Sequence, residues 1–187
     1  MKNNSCVKVQ KLILVSVLFI SSILVNPCFG QKISKYYVTH VNKNSTLYSI
    51  NTKQKWVNKE LKSTFEYDIK YDTSKDSIVI NFFFISPKKI KILNLRIQNS
   101  IKNIENSTKN LFIDNRKRNL YHYQCTTTFL YKDFKKMFSN EKEITSFYVI
   151  SNKGENIELI ISRKKWQKQQ SRLSRIFELI SFNKSKK

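Results

Sequence analysis

His40 and His122 are the only imidazoles in the 187-residue chain. In a lysine-rich protein such a pair invites comparison with phosphodiester-cleaving ribonucleases, in which one imidazole takes a proton while the other gives one. That chemistry needs both rings at a single phosphate, and linear spacing does not supply it. Four carboxylates form a second candidate group. Glu66, Asp68 and Asp72 share one side of an alternating run, and Asp76 follows at a turn. Oxygen clusters can hold calcium or magnesium, but these positions lack the ordered spacing of a calcium loop. Cross-strand pairing with lysines accounts for carboxylates on a wet sheet face. No metal or cofactor is therefore expected.

The third group is cationic. Lys165, Lys168, Arg172 and Arg175 recur at intervals of three and four, which lines them along one face of a helix. From Arg163 to Lys187 there are nine basic residues and one acid, Glu178. A cationic stripe beside an apolar face suits contact with phosphates or anionic headgroups, so these four residues are the predicted binding residues. The familiar enzyme signatures are absent: there is no phosphate-cradling glycine loop, Cys-x-x-Cys, His-Glu-x-x-His or Gly-x-Ser-x-Gly.

The elements that must position these groups read mostly as strands. Thr64 to Asp72 alternates Phe65, Tyr67, Ile69 and Tyr71 with Glu66, Asp68, Lys70 and Asp72, the period of a strand with one buried face. A turn at Thr73 to Asp76 leads into Ser77 to Ile85, apolar on both faces and so predicted to be a central strand. Lys91 to Ile97 predicts another strand with Leu93, Leu95 and Ile97 in phase. Residues 98–118, rich in Asn and Lys, predict an exposed excursion. The run from Asn119 to Leu130 places Tyr121, Tyr123, Cys125, Thr127 and Phe129 on one face, so Cys125 is expected to be a buried, inert thiol.

A short helix over 132–138 would bury Phe134 and Phe138. A hairpin is predicted from Thr145 to Ile150 and Asn156 to Ser162, turning at Gly154. Weaker strands fall at Tyr36 to Val41 and Thr46 to Asn51. From Lys164 to Phe182 the period lengthens, and Trp166, Leu173, Ile176, Phe177 and Ile180 share one side of a helix. The expected fold is α+β: a mostly antiparallel β-sheet with a C-terminal amphipathic helix packed on one face.

Ahead of this domain, Lys2, Lys8 and Lys11 precede the apolar run Leu12 to Val25, closed by Asn26-Pro27-Cys28-Phe29-Gly30. That is the layout of a secretory signal peptide. Residues 1–30 are the predicted leader, cleavage is predicted between Gly30 and Gln31, and 31–187 is the predicted single domain. The alternatives are a lipid anchor at Cys28, disfavoured by Pro27, and a retained span, disfavoured because crossing a bilayer takes about 20 apolar residues. Removing 1–30 leaves 32 basic and 13 acidic side chains, a net charge of +19. The absence of alanine and scarcity of glycine suggest that an AT-rich genome supplied many of the lysines, yet the charge favours anionic surfaces whatever its origin. The sequence thus predicts an exported, basic, non-enzymatic binding or structural module for an anionic partner: membrane headgroups, polysaccharide or nucleic acid. The alternative is a small secreted hydrolase using His40 and His122.

Overall fold

A computed structural model describes residues 34–52, 54–117, 120–140 and 143–185. The predicted leader, with Cys28 and the Gly30–Gln31 bond, lies outside the described residues. A single 3-10 turn, Ser34–Tyr36, leads into β1 (Tyr37–Val41) and β2 (Thr46–Asn51). Then come β3 (Trp56–Asn58), β4 (Ser63–Asp72), β5 (Ser77–Ser86) and β6 (Ile92–Gln98). β7 (Asn103–Ser107), β8 (Lys109–Lys117) and β9 (Leu120–Leu130) precede the short helix α1 (Tyr131–Met137). The hairpin β10 (Ser146–Ser151) and β11 (Asn156–Leu159) delivers the chain to α2 (Arg163–Ser185). The described residues fall within one compact unit, and the fold is the α+β arrangement expected.

All strand pairings are antiparallel. The larger sheet runs β1-β2-β4-β5-β9-β8, with β3 beside the start of β4, and the smaller runs β11-β10-β6-β7. Two seams join them. β7 passes directly into β8, and Thr108 N–H donates to the Leu93 carbonyl at 2.7 Å where the chain changes sheets. On the other side Val57 and Ile160 exchange backbone bonds of 2.9 and 3.0 Å, tying β3 to the end of β11. Alternation in β4 turns Phe65, Tyr67, Ile69 and Tyr71 inward. The smaller sheet and α2 share that inner face: Phe147 of β10 meets Phe65 at 5.0 Å and Tyr67 at 4.8 Å, while Trp166 of α2 meets Trp56 at 6.0 Å and Phe138 at 5.3 Å. Edge and tilted ring contacts of this kind add to the area they bury.

Several expectations need correction. Residues 98–118 are not an excursion but contain β7 and β8. They escape the period-two signal because β7 is a polar margin strand, mostly exposed, and is held by backbone bonds to β6 rather than by a buried face. β3, only three residues long, carries too few side chains to show a period. In β6, Leu95 and Ile97 are buried, whereas Leu93 is exposed and Ile92 takes the inward place. The pairing with β10 slips there, from Ile150↔Asn94 to Ser151↔Ile92, leaving Leu93 as the extra residue of a bulge. β5 is central, between β4 and β9, yet its outer face is open and Phe83 is 48 % exposed. The β10–β11 turn has Gly154 at φ 78°, the left-handed region that glycine enters without strain.

Candidate functional site

The stripe on α2 separates on folding. Its apolar side, with Trp166, Leu173, Ile176, Phe177 and Ile180, is sealed into the core. Lys165, Lys168 and Arg175 face solvent, as do Arg163 and Lys164. Arg172 does not, which corrects its assignment to the exposed face. It is 8 % exposed, its guanidinium stacks 3.5 Å from the centroid of the Tyr36 ring, and one NH group donates to the Thr52 carbonyl at 3.3 Å. Helix spacing of three, four and three places Arg172 near the edge of the buried side, and Tyr36 covers it there. A guanidinium tolerates that burial because its flat face stacks on an aromatic ring while its edge donates hydrogen bonds.

The exposed cations gather at the N-terminal end of α2. Arg163, Lys164 and Lys165 occupy its first turn, which has no acid. The helix macrodipole is positive at that end, so these side chains sit where cations are disfavoured, by about 0.3–1 kcal/mol each. Side-chain charge and dipole therefore add, building a positive potential directed at solvent.

The two histidines do not converge. Both lie on the larger sheet, but β1 and β9 are separated by β2, β4 and β5, a lateral gap of about 19 Å. The cross-strand row through Thr39, Tyr48, Tyr71 and Ile78 reaches β9 at Phe129. His122 lies a further ~23 Å along that strand at about 3.3 Å per residue. No single phosphate spans that distance, so the paired-histidine mechanism has no geometry in this fold.

The carboxylates of β4 are likewise used locally. Asp72 accepts from the Ser74 N–H at 3.0 Å and from its hydroxyl at 2.8 Å, and these bonds hold its carboxyl below the usual range. Burial raises the Asp68 carboxyl, against a backbone bond from Thr52. Among the described residues no three His, Cys, Asp or Glu side chains come together as a metal would require. Cys125 is fully buried, donates to Asn110 Oδ1 at 3.2 Å, and has its thiol pushed by burial up to about 12.

Two clefts indent the described surface. The first, about 310 Å³, opens between the β1–β2 corner and the last turn of α2, lined by Thr39, Val41, Thr46, Tyr48, Asn183 and Lys184 together with Thr73. Asn183 Nδ2 donates to the Tyr48 hydroxyl at 2.8 Å, and Lys184 Nζ stands 5.3 and 5.5 Å from the centroids of Tyr71 and Tyr131, which stack at 4.2 Å. Sequence reasoning missed this site because its lining comes from three distant segments. The second cleft, about 420 Å³, lies at the β3–β11 seam around Asn58, Lys59, Glu60, Asn156 and Glu158. Asn58 spends its amide on the Glu158 carbonyl at 2.9 Å.

Among the described residues no helix is long and apolar enough to cross a membrane. Compared with protein-family models, curated proteins and solved structures, the chain matches none.

Proposed function

We propose that this chain is an exported basic module that binds an anionic surface through the outward side of α2. The observation that carries this reading is the concentration of Arg163, Lys164, Lys165 and Lys168 at the positive end of the helix macrodipole, with Arg175 further along. Charges set against the dipole cost helix stability, and a surface bearing repeated negative groups offsets that cost. The hydrophobic stretch Leu12 to Val25 and its basic flank support delivery outside the cytosol. The module acts by binding rather than by catalysis.

The test changes Lys165, Lys168 and Arg175 together to Gln in the full chain, leaving the buried Arg172 intact. Retention on heparin resin and co-sedimentation with vesicles of phosphatidylcholine and phosphatidylglycerol are both expected to fall, with a shallower salt dependence. Unchanged retention on both would remove α2 from the binding surface. Mass spectrometry of the exported protein should find Gln31 at its N-terminus.

A further inference from the structure

We propose that β1 is a docking edge for an extended acidic peptide, which joins the larger sheet as an added strand and places a carboxylate in the cleft beside Lys184. The sheet margins lead to this assignment. A bare strand edge exposes a row of unpaired N–H and C=O groups, and proteins normally blunt such edges with bulges, lysine, proline or a covering segment. β8 is interrupted by two register shifts. β7 is tied across to β9 by Asn106, whose amide donates to the Thr128 carbonyl. β11 is linked at its end to β3.

Among the described residues β1 carries none of these devices. It pairs with β2 over all five residues without a shift, and among the described residues it has no other strand partner. Its sequence, Tyr37-Val38-Thr39-His40-Val41, has no lysine, proline or glycine and is rich in β-branched residues. Val38 is 58 % exposed and Val41 76 %.

The cleft lies against that edge. Thr39 and Val41 of β1 line it, and their cross-strand partners Tyr48 and Thr46 continue it inward. A strand laid along β1 presents every second side chain to this side of the sheet. Main-chain bonds then supply affinity and the pocket supplies selectivity, the usual logic of strand addition. Among the described residues Lys184 is the only charged one in the lining, and its ammonium group stands over the Tyr71–Tyr131 pair. The pocket therefore favours a carboxylate over an amide or an ammonium. A second copy of the chain is the wrong occupant, since two molecules of net charge +22 repel.

The probe is a fluorescein-labelled Thr-Val-Glu-Val-Thr peptide, compared with its Gln and Lys counterparts by anisotropy against the full chain. Saturable binding is expected, about tenfold tighter for Glu than for Gln, the scale of one charge-assisted contact. Lys184→Glu should reverse the order and favour the Lys peptide. Two Glu peptides N-methylated on alternate amides, one in each phase, separate strand addition from simple charge attraction. One phase should lose at least about tenfold, the worth of one or two backbone bonds, and the other should not. The Lys165/Lys168/Arg175→Gln variant should bind the peptide as the parent does, so this result stands or falls separately from the α2 reading. Equal binding of both methylated peptides, an unchanged order in Lys184→Glu, no saturable binding, or a dimer by ultracentrifugation that dissociates on Val38→Lys would each overturn the assignment.

Discussion

The two ends of α2 carry the same kind of charge in opposite electrostatic settings. At the N-terminal end Arg163, Lys164 and Lys165 stand against the macrodipole and face water, while Trp166 beside them is sealed against Trp56 and Phe138. At the C-terminal end Lys184 complements the dipole and rests over Tyr71 and Tyr131. The first end is anchored by packing and leaves its charges to the outside. The second uses its charge within the molecule and leaves a cleft beside it. Cations that the fold uses and cations that it merely tolerates are thus distinguishable by what their helix turn and neighbours do for them.

The largest effect should follow from breaking the anchored end. Trp166→Ala removes the indole that packs α2 on Trp56 of β3 and on Phe138 just after α1, and is expected to cost about 3–5 kcal/mol in urea denaturation. A loss below about 1 kcal/mol would mean that α2 is not anchored there. A second measurement sharpens the contrast between used and tolerated charge. Arg172→Gln abandons the Tyr36 ring and the buried Thr52 carbonyl and should cost about 1–3 kcal/mol. Lys165→Gln with Lys168→Gln should leave stability unchanged or raise it by up to about 1 kcal/mol, since it removes charge set against the dipole. If the two stabilities moved alike, the distinction between the faces would fail.

A third test concerns pH. Burial holds the Cys125 thiol and the Tyr131 phenol up at about 12 each, whereas in an unfolded chain they ionise near about 8.5 and about 10. The native state therefore keeps protons that the unfolded chain releases as pH rises. Stability should decline between about pH 8.5 and 12 as these two groups ionise in the unfolded chain. The urea midpoint measured across that range checks the sign. Iodoacetamide should modify Cys125 only once the chain is unfolded, and a Cys125 adduct in the native protein at neutral pH, located by peptide mass spectrometry, would contradict a sealed thiol.

The strands that bury one face were readable because burial imposes a period on side-chain types. Thr64 to Asp72, the run to Leu130 and the hairpin around Gly154 all announced themselves in this way, as did the apolar side of α2. β7 bears no such imprint, since a margin strand is held by main-chain bonds that any residue type can make. β6 misled by one position because a bulge at Leu93 shifts the period without changing composition. The α2 stripe was legible as a stripe, but the burial of Arg172 depended on where Tyr36 arrives from the other end of the chain.

The amino-acid order alone settled the mixed α+β character, the burial of Cys125, the two-faced C-terminal helix and the strongly positive charge. These follow from composition and local periodicity, which a short window of residues contains. The tertiary structure decided that His40 and His122 stand far apart, that one arginine of the stripe is structural, and that β1, a margin strand among the described residues, meets a cleft lined in part by Lys184. Those are relations between segments separated by tens to more than a hundred residues, and spacing along a chain carries no distance until long-range pairing brings the segments together.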